Sequence, residues 1–212
     1  MVNTFLHIGC GNTKKGESTP VFNSDDWDEV RLDINKDVKP DIVASITDMS
    51  EINDNSFEAV FSSHNIEHVY PHEVSHVLSS IYRILKNNGF VIIDCPDIQQ
   101  VSAEVAKGNL VSPLYYTSSN TPITAIDIMY GHVQSIAQGN TYMSHKCAFT
   151  DKVLLGELKK AGFNMISIIK ATSAYALHAI AFKNTNISQK QSDTLLKQHL
   201  PYKKIIENSK SS

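Results

Sequence analysis

The chain has 212 residues, which suits one domain with a substantial buried core and is tight for two independent domains. Its 19 Lys and Arg against 22 Asp and Glu give a formal charge of −3, and no dense basic run is present, so we expect no nucleic-acid partner. No apolar run reaches the roughly 18 residues of a membrane span, and the first residues do not resemble a signal peptide. We therefore expect a cytoplasmic protein.

Short apolar runs bounded by turn residues predict seven strands. The runs do not alternate with polar residues, which is typical of parallel strands that helices cover on both faces. In chain order they are residues 4–8, 30–34, 41–44, 57–62, 90–95, 165–169 and 175–182.

Two helices are predicted where apolar residues recur at helical spacing, at residues 74–85 and 151–161. The first crossover, residues 12–29, has little helical periodicity and is expected to be mostly loop. A weaker helix is predicted around residues 194–200, followed by a polar end.

Glycines and carboxylates follow the first strands at the positions of a nucleotide-binding fold. Gly9 and Gly11 come directly after the first strand, where a ligand must approach the backbone closely. Asp33 ends the second strand, 22 residues after Gly11, where a carboxylate can accept hydrogen bonds from ribose hydroxyls. Asp48, after the third strand, is expected to reach the same edge of the sheet.

These segments resemble the class I S-adenosylmethionine-dependent methyltransferases, in particular the type-11-like group often associated with glycan biosynthesis. The resemblance covers about the first 100 residues and includes Arg31-Leu32-Asp33-Ile34 and the Glu67-His68 pair. The matching segments are residues 6–11, 31–34, 40–49 and above all 57–97, with a weaker echo over residues 130–163.

Together with the order of elements, the resemblance implies an α/β fold. We expect a Rossmann-like, doubly wound, mostly parallel seven-stranded sheet whose last strand is antiparallel. A helical lid, residues 97–149, is inserted between strands five and six, and we expect the acceptor pocket beneath it. The predicted methyltransferase domain spans residues 1–183, and residues 184–212 form a C-terminal helix and polar tail.

The resemblance also implies the cofactor S-adenosylmethionine, its product S-adenosylhomocysteine, and roles for named residues. Gly9 and Gly11 would meet the methionine moiety, Asp33 the ribose, and Asp48 with the Met49 amide the adenine. His7 stands where many of these enzymes carry an acidic residue. The predicted cofactor-binding residues are His7, Gly9, Cys10, Gly11, Asp33, Ile34, Asp48, Met49 and Ser63.

Methyl transfer needs few catalytic side chains, because the donor is already activated and the protein mainly aligns the acceptor and excludes water. We expect a small polar acceptor, with a sugar or glycan-precursor hydroxyl as one candidate. A hydroxyl acceptor needs a base, and His64 at the exit of the fourth strand is the first candidate. His132 and His145 are alternates, and a purely structural role is the competing interpretation for each of them.

Three other functions are compatible with parts of the sequence. His72-Glu73-Val74-Ser75-His76 fits a zinc-protease pattern, but both histidines are expected to face water, so no metal is predicted. An NAD(P)-dependent oxidoreductase would carry a third glycine where Lys14 stands. A catalytically silent cofactor-binding module stays open. Covering the cofactor site requires the lid or a second subunit, so a homodimer is a further expectation.

Overall fold

The predicted apolar runs all become strands of one sheet in the computed structural model, which describes residues 2–184 and 186–200. In chain order the strands are β1 (Asn3–Ile8), β2 (Trp27–Asp33), β3 (Ile42–Val43), β4 (Phe57–Ser63), β5 (Leu85–Pro96), β6 (Pro113–Tyr116), β7 (Pro122–Thr124), β8 (Met165–Ala171) and β9 (Ala176–Phe182). The sheet has the order β3-β2-β1-β4-β5-β9-β8, while β6 and β7 form a separate hairpin. Within the seven-stranded sheet, β9 runs antiparallel to both of its neighbours and the other pairs are parallel. The predicted fold class is confirmed.

The helices lie between and after these strands. They are α1 (Val74–Ile84), α2 (Ile98–Ala106), α3 (Ala125–Tyr130), α4 (Val133–Ala137), α5 (Asp151–Lys160) and α6 (Gln189–His199). None of the helices in the described ranges is long and apolar enough to cross a lipid bilayer. Helix α6 begins earlier than predicted because the Ser188 side chain caps it by accepting the Gln191 N–H. The predicted polar end, residues 201–212, lies outside the described residues.

Helices α1 and α5 cover one face of the sheet. The predicted apolar stripe of α1 is buried, and Leu154 and Leu158 of α5 are fully buried beside it. Each such side chain contributes about 2 kcal/mol through the surface that it removes from water. Because the apolar stripe must face the sheet, this packing fixes the orientation of α1 and so the point at which β5 begins.

Strand β5 begins five residues earlier than the predicted run. Leu85 pairs with Phe57 of β4, and the register then shifts before Ala59 pairs with Phe90. At Gly89, within this irregular stretch, a Cβ would lie 2.9 Å from the Glu58 carbonyl oxygen. The polar residues between Leu85 and Phe90 thus belong to an irregular part of a strand, where periodicity gives no signal.

Aromatic residues and α6 cover the other face, where a crossover helix is missing. Between β1 and β2 the described chain forms only a short 3-10 turn, Lys15–Glu17, as the lack of periodicity predicted. Phe22 of this crossover stacks on Phe5 with ring centroids 4.2 Å apart. Leu196 of α6 joins the same buried cluster. The end of the described chain therefore closes the face that the crossover leaves open.

The insertion between β5 and α5 folds around a small core of its own. Val101 of α2 packs with Ala125 and Ile128 of α3. Asp97, fully buried, caps α2 by accepting the Gln99 N–H. The insertion is helical as predicted, but it also contains the β6–β7 hairpin.

His199 at the end of α6 predicts a dependence of stability on pH. It is buried, its Nδ1 lies 2.9 Å from Thr19 Oγ1, and burial lowers its pKa to about 4 against a weaker opposing effect of the Asp94 charge. Between pH 7 and pH 5 the unfolded chain binds a proton here that the folded chain does not. The free energy of unfolding therefore decreases as the pH is lowered from 7 to 5. His199 alone accounts for a decrease of about 2 kcal/mol over this interval.

Denaturant unfolding at pH 7 and pH 5 checks this prediction. His199→Gln should show a correspondingly smaller loss between the two pH values. His76→Gln, at an exposed histidine of α1, should keep the wild-type dependence. The same pH dependence in wild type and His199→Gln would rule out His199 as the group responsible.

Candidate functional site

The carboxyl ends of β1, β2, β3 and β4 open onto one cleft of about 830 Å³. A cavity of this size suits a small molecule, and the edge where parallel strands end is the usual ligand position in such a sheet. The lining residues come from within residues 8–12, 32–38, 44–47 and 64–73 and, in the insertion, 140–146.

The loop after β1 turns sharply at two glycines that line the cleft. Gly9 and Gly11 have φ angles of 64° and 50°, a region that favours glycine. At Gly9 a Cβ would lie 2.0 Å from Asn65 Nδ2, whereas at Gly11 it would meet nothing within 4 Å. Gly9 is therefore needed for close packing, while the backbone at Gly11 faces open space.

Asp33 holds the glycine loop and still has capacity to accept further hydrogen bonds. Its Oδ2 accepts the Gly11 N–H at 2.8 Å and its Oδ1 accepts the Asn35 N–H at 2.8 Å. Each oxygen keeps a second acceptor site. Two residues earlier on β2, Arg31 donates to the carbonyl oxygens of Gly11 and Lys39 at 2.6 and 3.0 Å. This role of Arg31 is not predicted from the sequence, although its spacing from Asp33 places both on one face of the strand.

After β3, residues 45–47 line the cleft, and the next two residues lie outside its lining. Asp48 is exposed and its Oδ1 accepts a hydrogen bond from Ser50 Oγ at 2.7 Å. Met49 is buried in the main core, and its carbonyl oxygen accepts a hydrogen bond from Arg83.

His64 follows β4 in a strained conformation. Its φ angle of 48° is unusual for a residue with a side chain, and its N–H donates to the Asp94 carbonyl oxygen at 2.8 Å. The side chain is 55% exposed and lines the cleft. Burial of part of the ring opposes its charged form, but the Glu67 and Asp94 carboxylates raise the pKa of His64 above its ordinary value. The ring is thereby held at the cleft with an increased proton affinity.

Glu67 lies directly below His64 and is 1% exposed. Its Oε1 is 3.3 Å from His64 Nδ1 and 3.9 Å from His145 Nε2. Burial would raise the pKa of Glu67, yet the neighbouring histidines, His64 foremost, lower it. For His145, burial lowers the pKa more than Glu67 raises it. The burial of the Glu67 carboxylate at the exit of β4 is not predicted from the sequence.

Residues 140–146 of the insertion form the outer wall of the cleft. The N–H groups of Lys146 and Cys147 both donate to the Glu67 carbonyl oxygen, at 2.8 and 3.2 Å. The Lys146 ammonium lies 4.8 Å from the ring centroid of Tyr70, a second lining residue. The wall is therefore fixed to the turn that carries His64, and it adds a cation and aromatic rings to the cleft.

The remaining predicted cofactor residues divide between the cleft and the core. Ile34 lines the cleft, whereas His7, Cys10 and Ser63 are outside its lining. His7 is buried, with its Nδ1 2.7 Å from Glu29 Oε1. Burial raises the pKa of the Cys10 thiol to about 11, so the thiol is protonated at neutral pH.

The other histidines singled out from the sequence lie away from the lining. His132 precedes α4 with its Nδ1 2.7 Å from Ser135 Oγ, and His145 lies behind the wall against Glu67. His72 and His76 are both exposed, as expected. However, α1 begins at Val74, so His72 sits in the preceding turn and the two are not one helical turn apart.

Comparison with known proteins finds a family match in the first part of the chain. Residues 6–93, which include Gly9, Asp33 and His64, match the family model described as a methyltransferase domain. The sequence has no match among curated proteins.

Solved structures of methyltransferases share the fold at low sequence identity. The 1,6-didemethyltoxoflavin-N1-methyltransferase of Burkholderia thailandensis, solved with bound S-adenosylhomocysteine, is 12% identical with a TM-score of 0.54 over 87% of this chain and 72% of that one. A methyltransferase from Methanosarcina mazei is 15% identical, with a TM-score of 0.56 over 87% and 94%. One from Archaeoglobus fulgidus is 17% identical, with a TM-score of 0.53 over 85% and 86%. At these identities the likeness concerns the fold.

The outer wall of the cleft depends on Gly131, which predicts the effect of an alanine there. Gly131 has a φ angle of 98° and a ψ angle of 161°, and a Cβ would lie 1.8 Å from the Met143 carbonyl oxygen. Gly139 has a similar φ of 96° but nothing within 4 Å of its Cβ position. Gly131→Ala should therefore destabilise the protein by roughly 1–3 kcal/mol more than Gly139→Ala.

Denaturant unfolding of the two variants measures this difference. Because Met143 lines the cleft, Gly131→Ala should also weaken ligand binding there, while Gly139→Ala should not. If the two variants lose the same amount of stability, the outer wall can shift to accommodate the added methyl group and the prediction is wrong.

Proposed function

We propose that this protein, an S-adenosylmethionine-dependent methyltransferase, transfers the methyl group to a hydroxyl of a small polar acceptor, of the sugar or glycan-precursor class. The observation that carries the proposal is the single cleft shared by Gly11, Asp33 and His64. A donor held by the first two and an acceptor held near the third would meet within one cavity. The outer wall, residues 140–146, would then cover the acceptor.

The residues present in the cleft fit the cofactor. Asp33 has free acceptor capacity for ribose hydroxyls, and the open space at Gly11 admits a ligand against the backbone. Asn65 Oδ1 is buried at the same loop without a hydrogen-bond partner. A ligand ammonium group, such as that of a methionine moiety, is a donor suited to this orphaned oxygen.

A dinucleotide fits the same loop less well. Rossmann dinucleotide sites place the pyrophosphate at the N-terminus of a helix that follows the glycine loop. Here residues 9–26 of the described chain form only the 3-10 turn Lys15–Glu17. The cleft therefore offers no helix N-terminus beside Gly11 for two phosphates, which favours the methyl donor over a nicotinamide cofactor.

The chain's own residues account for the rest of the chemistry. When bound, the cofactor supplies a methyl group already activated on a sulfonium. His64 would take the proton of the acceptor hydroxyl as the oxygen bonds to the methyl group. Because its Nδ1 faces Glu67, Nε2 is the nitrogen that would accept this proton. Residues 140–146 would exclude water from the reacting atoms.

The composition of the outer cleft supports a polar acceptor. Asn140, Thr141 and Ser144 offer hydrogen-bonding groups, and Tyr70 and Tyr142 offer rings with a polar tip. The rings are about half exposed, so they can contact a ligand. Of the tyrosines of the insertion, all of which the structure describes, only Tyr142 lines the cleft.

Asp33 tests the cofactor site. Asp33→Ala should weaken the binding of S-adenosylhomocysteine by about 2 kcal/mol or more, because it removes charge-assisted hydrogen bonds. Asp37→Asn changes the charge at an exposed position near the same sheet edge, outside the cleft lining, and should leave the affinity unchanged. Calorimetric titration measures both, with NAD and NADP titrated in parallel. Unchanged affinity in Asp33→Ala, or binding of a nicotinamide cofactor instead, contradicts the assignment.

His64 tests the chemical step. His64→Ala should bind S-adenosylhomocysteine almost as wild type does but transfer methyl groups 10²–10⁴-fold more slowly, the usual contribution of a positioned base. Transfer from radiolabelled cofactor to a panel of nucleotide sugars and small hydroxylated acids provides the assay. His76→Ala, at an exposed histidine outside the lining, is the matched control. Loss of cofactor binding without slower transfer would make His64 a binding residue, and no transfer to any acceptor by wild type would favour a silent binding module.

A further inference from the structure

Three potential metal ligands converge beneath the cleft. Glu67 and His68 belong to the 3-10 turn Ile66–His68 after β4, and His145 comes from the insertion. One ligand atom from each lies within 4.8 Å of the other two. The histidine rings are 4.9 Å apart between centroids. In the sequence His145 lies 77 positions after His68, so the meeting of the three residues depends on the fold.

The Glu67 carboxylate is buried, and of the described side chains only histidine rings lie near enough to balance its charge. Both of its oxygens are buried and neither has a hydrogen-bond partner among the described residues. The nearest ring nitrogens, His64 Nδ1 and His145 Nε2, lie 3.3 and 3.9 Å from Oε1. A buried carboxylate whose oxygens accept no hydrogen bond is incompletely compensated by these rings, so a bound cation would stabilise it.

Backbone carbonyl groups orient the two histidine rings as metal ligands are usually oriented. His145 Nδ1 donates to the Ile128 carbonyl oxygen at 2.8 Å, and His68 Nδ1 donates to the Ser144 carbonyl oxygen at 3.1 Å. Since Nδ1 carries the hydrogen in each neutral ring, Nε2 carries the lone pair. A ligating histidine typically donates its second N–H in this way, which fixes its tautomer and orientation.

We propose that Glu67, His68 and His145 bind one divalent transition-metal ion of the zinc class. Two imidazoles and one carboxylate suit Zn²⁺, Co²⁺ or Fe²⁺ and disfavour Mg²⁺ and Ca²⁺, which prefer oxygen ligands. Tetrahedral zinc places its ligand atoms roughly 3.3 Å apart, so the three groups need only small side-chain movements to close around an ion. This cluster is separate from the His72 and His76 pair considered in the sequence.

Three protein ligands leave coordination positions free. Because His68 lines the cleft, an ion here would lie at the cleft floor, where an acceptor oxygen could complete its coordination and be acidified. That role rests on the proposed function, whereas the metal site itself does not.

Metal titration of the untagged, metal-stripped full chain tests the site. Wild type should bind one Co²⁺ with intense visible absorption bands, and one Zn²⁺ should displace it and raise the melting temperature. Glu67→Gln, which keeps the shape of the side chain, and His145→Ala should each weaken Zn²⁺ binding at least tenfold. The double variant His72→Ala/His76→Ala removes the exposed pair and should bind as wild type does.

Each result decides for or against the site. Absence of binding by wild type, full affinity in Glu67→Gln, or loss of binding only in the double variant overturns the proposal. If His145→Ala does not fold, Glu67→Gln alone decides. S-adenosylhomocysteine is also titrated into the metal-stripped protein, which separates the two proposals. If the protein binds Zn²⁺ as expected but does not bind S-adenosylhomocysteine, only the proposed function is contradicted.

Discussion

The packing of Gly9 against Asn65 is the contact on which the arrangement of the cleft depends. The Asn65 amide occupies the space that a side chain at position 9 would fill. It therefore locks the loop after β1 to the turn after β4, the turn that carries His64. Arg31 and Asp33 brace the same loop from β2. The proposed donor and acceptor sites are thus aligned by one interlocked pair of loops at the sheet edge.

Glu67 connects this pair of loops to the insertion. Its backbone carbonyl oxygen accepts two N–H groups from residues 146 and 147, and its side chain faces His145 from below. Residues 140–146 consequently have a fixed position although they lie far along the chain. A segment attached in this way can shape the proposed acceptor side of the cleft independently of the proposed cofactor side.

The sequence predicts the sheet well because its strands are buried on both faces and read as continuous apolar runs. It predicts α1 well because one apolar stripe must face that sheet. It does not predict the start of β5 at Leu85, where strand pairing with Phe57 prevails over polar composition. Nor does it predict the contact of Glu67 with His145, because such long-range pairs follow from the fold and leave no local pattern. The positions of Gly11, Asp33 and His64 at the cleft could be predicted because each lies at or within three residues of the carboxyl end of a strand.

The position of β9 has a consequence for how the protein is made. This strand lies between β5 and β8, and α6, which follows it, covers the aromatic face beside Phe22. While the ribosome is still adding residues before Ala176, β5 and β8 have no common neighbour and Phe22 lacks its cover. The growing chain must therefore carry an open sheet edge and exposed rings until β9 and α6 have been synthesised, a period in which aggregation competes with folding. Nascent chains of this topology have reason to depend on chaperones that shield such surfaces during synthesis.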